Sequence, residues 1–456
     1  MRNLLLFLFI LSLLFACRKE SFTTNTDALL KTDIDTLQFD TVFTTTGSVT
    51  QLFKIINTNN RSIKISSVRL AGGATSPFRI NVDGMPGPHV NEVEIAGKDS
   101  AYVFATVTIH PTNASLPFVV RDSIEISYNG NKKWVQLEAF GKNAHFLRNK
   151  LVQGNETWNA DLPYVILGGL LVDDYATLTI NKGCRIYVHA DAPIFVQGTL
   201  RVAGEKWDST RVVFSGDRLD EPYRDFPASF PGIFFTAGSK NNVFQYAIIK
   251  NAYQGIVAVD PSPVASPKIT LNETIIDNAY DIGLLGVNTS IIARNVLISN
   301  SGKNLVLIKG GDYSFTHCTV ASYSNNYSQH KDPVLLVSNF LEKGAPSFPL
   351  TAVFRNCIFW GDDNGTVDNE AVVLKNGTTP FNVTFNNVLW RLKEAPANVT
   401  ITEAISNQPP QFDSVNNSKR YYNFRLKSTS PAINKGANTG VSLDLDGRPR
   451  PVGLPD

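Results

Sequence analysis

The chain has 456 residues, with 42 Lys and Arg against 40 Asp and Glu. That balance supplies no concentrated basic face, so a nucleic-acid partner is not expected. The four cysteines are widely spaced without a C-x-x-C pair, which argues against both a disulfide framework and a zinc centre.

The N-terminus reads "MRNLLLFLFILSLLFACRKE". A basic residue, an apolar run from Leu4 to Phe15 and a small residue before a cysteine make a secretory signal peptide over residues 1–16. The run is shorter than the roughly 20 residues that span a bilayer. Leu14-Phe15-Ala16-Cys17 resembles the bacterial lipobox, which implies cleavage before Cys17 and lipid attachment to its sulfur. Arg18, rather than aspartate, follows the cysteine, and by resemblance to lipoproteins of diderm bacteria this implies the outer membrane. Residues 17–33 then read as a lipidated polar tether. Losing Arg2 with the signal brings the mature chain still closer to neutrality.

Residues 34–143 alternate apolar and polar side chains in runs such as "LFKIINTNN", "IKISSVRL", "AYVFATVTIHP" and "DSIEISYNG". These runs are rich in β-branched and aromatic residues and are separated by Asn, Gly and Pro, the pattern of an antiparallel sandwich. Asn129-Gly130 supplies a hairpin turn. The strand end Phe53 to Asn60, "HPT" at His110 to Thr112 and the closing Val135 to Gly141 resemble immunoglobulin-like domains of the abnormal-spindle/hydin type. Such domains are spacers or interaction modules.

Residues 146–456 contain a repeat. The segments "FQYAIIKN" (from Phe244), "LNETIIDN" (Leu271), "ARNVLISN" (Ala293), "FTHCTVAS" (Phe315), "FRNCIFWG" (Phe354) and "FNNVLWRL" (Phe385) start 27, 22, 22, 39 and 31 residues apart. A step near 22 with insertions is the mark of a solenoid. The first, fourth and sixth positions are apolar in nearly every copy. Positions one and four fall on opposite faces of a straight strand, so both face inward only if the chain bends between them. The third position holds Tyr246, Glu273, Asn295, His317, Asn356 and Asn387, and asparagine tolerates the left-handed conformation such a bend requires. Asn295, Asn356 and Asn387 are therefore read as a structural bend ladder.

With "LTINKGCRIYV" (Leu178 to Val188), "FVQGTLRVAG" (Phe195 to Gly204) and the ending "SPAINKGANTG…DLDGRPRP" (Ser430 to Pro451), this part resembles the lipid-anchored right-handed parallel β-helix proteins of Bacteroidetes-type bacteria. The expected fold class is all-β, an N-terminal immunoglobulin-like sandwich followed by a right-handed parallel β-helix whose C-terminal cap occupies about 400–456. Asp444 and Asp446 supply too few oxygen ligands for a calcium loop, and no cofactor is expected. Pro449 and Pro451 withhold donors, which suits a segment that ends a solenoid.

The β-helix also hosts polysaccharide lyases and hydrolases, which need a base with a cation, or paired carboxylates. The candidates for such chemistry are Asp362 and Asp363 in "GDDNG", with Asp368 and Glu370 nearby, and His317 and His330. Asp362-Asp363 falls where turn residues are common, and His317 at a bend position; His330 is expected to be more exposed. Two insertions, Asp217 to Phe230 and Tyr323 to Leu350, mix aromatic and polar residues, and are expected either to emerge on one face as a binding surface or to cover a coil edge. Cys318 and Cys357 share the fourth position and are expected to be buried free thiols. The reading is thus an outer-membrane lipoprotein that binds a polysaccharide or a surface protein without catalysis. Its alternatives are a lyase or hydrolase acting on acidic polysaccharide, and an adhesin or stalk.

Overall fold

The computed structural model describes residues 21–44, 47–110, 118–342, 344–363 and 366–456. The signal segment and Cys17 lie outside them. The chain divides into two compact units between Asn143 and Ala144, and among the described residues the regular elements of both are β-strands apart from short 3-10 turns at Gly73–Thr75 and Tyr223–Asp225.

The first unit is a sandwich of two five-stranded sheets. One sheet pairs Gln51–Asn57 with Ser100–Val107, and the other centres on Phe118–Tyr128 beside Asn131–Lys142. Alternation places Phe53, Ile55, Val103, Ile124, Ile126, Val135 and Leu137 in one core. The hairpin at Asn129-Gly130 has positive φ at both residues, as its twist requires. The sandwich begins earlier than expected. Leu30–Thr32, assigned to the tether, pairs with Gln51–Asn57 and buries Leu30. The pair Thr36–Phe43 with Asn131–Lys142 is parallel.

The second unit is a parallel β-helix. One sheet of 23 strands contains only parallel pairings, and each coil contributes three short strands. The six third-position residues have φ between 45° and 53°, so the chain turns at each of them and positions one, four and six all face inward. Phe315, Phe354 and Phe385 stack through the interior at 5.4 and 5.0 Å between centroids. Cys184, Cys318 and Cys357 are buried free thiols. A second bend follows at Asn251, Asn278 and Asn300, again with positive φ.

Three features depart from the sequence reading. Thr400–Ser406 is not cap but a further coil, paired with Phe381–Trp390 and bent at Glu403 with φ 55°. The span Tyr323 to Leu350 is not one insertion, because Leu335–Ser338 is a regular coil strand between two loops. The closing run does not sit over the last coil. Residues 434–456 form a long loop laid lengthwise along the bend ladder, with Gly436 N–H bonded to the Pro455 carbonyl at its base. Asn387 donates to the Lys435 carbonyl, Asn356 exchanges two bonds with Ala437, and Asn295 donates to the Leu443 carbonyl. The ladder amides therefore serve the strap as well as each other.

Candidate functional site

The expected candidates do not come together as one site. Asp362 and Asp363 follow the strand Leu350–Gly361, and both are engaged: Asp362 Oδ2 accepts the Ser324 N–H at 2.9 Å, and Asp363 Oδ1 accepts from Arg391 at 3.0 Å. Arg391 also donates to Glu370 Oε1 at 2.7 Å, which lies 3.0 Å from His330 Nε2. His330 is buried rather than exposed, because its loop folds inward onto the fully buried Glu370. A side chain at Gly361 would collide with both His330 and Glu370, so the glycine of "GDD" makes room for this network. The pattern that resembled a catalytic carboxylate pair is a polar clamp joining two loops.

His317 lies at the first bend, on the strap side, and among the described residues shares no bond with that clamp. Its Nε2 is 2.8 Å from Thr439 Oγ1 and 3.3 Å from the Asn356 amide. Burial, reinforced by the Arg450 charge, pushes its pKa down to about 4, so it is neutral at ordinary pH. In the strap itself, Asp444 Oδ1 accepts the N–H groups of Asp446 and Arg448, and Asp446 pairs with Arg425 at 2.7 Å. Both aspartates are thus occupied with a turn and an ion pair. Among the described residues no three His, Cys, Asp or Glu side chains are grouped to hold a metal.

What the fold does bring together is the pair of insertions. The loop 217–230 follows the strand Val212–Gly216, and the loop 323–334 follows Thr319–Ser322; both strands lead into the second bend. The first loop folds back along that bend, where Asn251 donates to the Arg224 carbonyl at 2.8 Å and Asn278 to the Asp225 carbonyl at 3.1 Å. It then meets the second loop through Phe226 and Tyr327, 4.7 Å apart. Arg420, from the turn of the hairpin Phe412–Asn416 and Tyr421–Leu426, packs over Tyr327 at 4.6 Å and bonds Asp225 at 3.1 Å. Tyr223, half-exposed, carries Arg218 over its ring at 3.9 Å, and Arg218 is held by Asp220. The result is a ridge of aromatic rings with ordered guanidinium and carboxylate groups.

At the edge of this ridge lies a pair that the sequence reading did not single out. His189 Nδ1 is 2.7 Å from Asp217 Oδ2, with the His189 side chain half-exposed. Burial raises the Asp217 pKa against the opposing pull of the imidazole. The signal was present: "RIYVH" and "VVFSGD" are successive coil strands whose ends align, with Val188 opposite Gly216.

The chain matches no family model and no curated protein. Among solved structures, a family 123 glycoside hydrolase from Clostridium perfringens, described for glycolipid glycan hydrolysis, is similar at TM-score 0.18 and 13% identity, over 25% of this chain and 26% of that one. The chain thus spans about a quarter of that hydrolase's length. The PapD-like domain 7 of human CEP192 is similar at TM-score 0.20 and 9% identity, over 28% of this chain and 94% of that domain.

Proposed function

We propose that this chain is a lipid-anchored outer-membrane protein whose β-helix binds glycan through the ridge at the second bend, with the sandwich as its carrier. One observation carries the reading. Coils bent at Asn251, Asn278 and Asn300 turn this corner within a few residues, so the solenoid does not need the insertions. Yet two loops about a hundred residues apart in the chain are locked together there by Phe226, Tyr327 and Arg420. Ordered rings beside fixed hydrogen-bonding groups suit a sugar, which presents apolar C–H faces and hydroxyls together. The lipobox-like Leu14 to Cys17 supports the anchor. Glycan-array binding by the mature chain tests the reading: signal should concentrate on a related set of glycans and fall at least tenfold in Tyr223→Ala. An array without saturable binding, or binding indifferent to Tyr223, contradicts it.

His189 and Asp217 favour a second reading. A carboxylate on Nδ1 leaves Nε2 facing outward in the arrangement of a general base. Depolymerisation of uronic-acid polysaccharide that disappears in His189→Ala, with the fold intact, would replace binding by catalysis.

A further inference from the structure

The fifth repeat position should be polar, because it points away from the β-helix core. In five of the six copies it is aliphatic instead, at Ile248, Ile275, Leu297, Ile358 and Leu389, with Thr319 the polar member, and the added coil contributes Ile405. Successive coils lie about 4.8 Å apart, so Ile275 to Ile405 form an aliphatic row roughly 24 Å long on the outer face. Part of the row is covered. Ile358 and Leu389 pack with Phe412, Phe424 and Leu426 of the C-terminal hairpin in a second, smaller core. The rest is not: Ile275, Leu297 and Thr319 are only half-buried. Between hairpin and strap the cover leaves a cavity of about 880 Å³, whose floor is this row.

We propose that this cavity binds a single-chain amphiphile, an acyl chain with an anionic head. The volume falls within the usual range for a small-molecule site. Among Ile275, Leu297, Thr319, Ile358, Leu389 and Ile405 the floor offers one hydroxyl and no aromatic face, so it suits hydrocarbon rather than sugar. The walls add Phe424, Pro431 and Ile433, together with the polar groups of Tyr422, Gln408 and Glu403. Charge is arranged at the lining edge. Arg425 of the hairpin and Asp446 of the strap neutralise each other across the cover, and Arg450 is spent on Asn295 Oδ1. Arg448 is exposed and forms no ion pair among the described residues, which leaves a guanidinium for a carboxylate or phosphate head. The site lies on the strap side of this face and does not depend on the ridge at the second bend.

The test is titration of the full mature chain with a dansyl-labelled fatty acid, followed by competition with dodecanoate and dodecanol. Saturable binding displaced by dodecanoate is expected. Leu297→Trp, which fills the floor from a half-buried position, should weaken it at least tenfold. Arg448→Ala should weaken dodecanoate several-fold and leave dodecanol unchanged, a split that a merely structural role would not produce. Thr319→Trp serves as a second filling variant, and each variant is checked by its thermal midpoint. Absence of saturable binding, or unchanged affinity in folded Leu297→Trp and Thr319→Trp, overturns the proposal.

Discussion

His317 shows how one residue can hold a backbone bend and a tertiary contact together. Its φ of 53° makes the turn, while Nε2 faces the Asn356 amide donors and Thr439. A proton there would place a donor against a donor. With the folded pKa near 4 and the unfolded value near 6.5, the unfolded chain binds the extra proton first as pH falls. Stability is therefore full above pH 6.5 and declines toward pH 4, by on the order of 2 kcal/mol. Denaturant melts at pH 7 and 5 should show that decline, and His317→Asn, which keeps the bend, should flatten it. Glu370 makes a different prediction. It is fully buried between His330 and Arg391, so Glu370→Ala removes the carboxylate that joins the two loops and leaves Arg391 only its exposed partner Asp363; the change should cost about 3 kcal/mol in the same melts. Lys268 is likewise buried and donates to the Thr236, Ala237 and Val259 carbonyls at 2.7 to 3.1 Å. Lys268→Met strands those acceptors and should also cost about 3 kcal/mol.

At the scale of elements, the strap and hairpin act as a lateral cover. Ending the chain after Ile433 removes the strap partners of Asn295, Asn356 and Asn387, together with the Arg425 ion pair to Asp446. The truncated protein should keep its β-sheet circular dichroism, bind an apolar dye more strongly and melt at lower temperature; an unchanged melt would mean that the strap adds no stability. Much of the architecture was legible in the repeat. Apolar residues at positions one, four and six, with Asn between them, state where the chain bends, because inward burial and a left-handed turn are both local demands. The strap was not legible. "DLDGRPRP" reads correctly as a turn but not as a terminator, because it docks along the ladder through the Asn295 amide, 148 and 155 residues earlier than its two partners, and no periodicity encodes that pairing. The clue lay elsewhere, in aliphatic residues at the outward fifth position, which need a cover. His330 was misjudged for a similar reason. A polar insertion reads as exposed until the buried Glu370 that draws it inward is known. Asp362 and Asp363 were legible as turn residues but not as partners of Ser324 and Arg391.

Taken as a whole, the molecule is a sandwich unit and a solenoid whose elaborations gather at the second bend and along the first. A scaffold of repeated coils can lengthen a loop at any corner without disturbing its core, so ordered loops from different coils can build one surface. Phe226 and Tyr327 join two such loops into a ridge, the surface proposed to bind glycan. The most direct measurement is the affinity of the mature chain for its strongest array glycan, compared across Phe226→Ala, Tyr327→Ala and the double variant. If the loops act as one surface, each single change lowers affinity and the double change costs clearly less than the sum of the two. Affinities unchanged in all three variants, with the fold retained, would contradict the account.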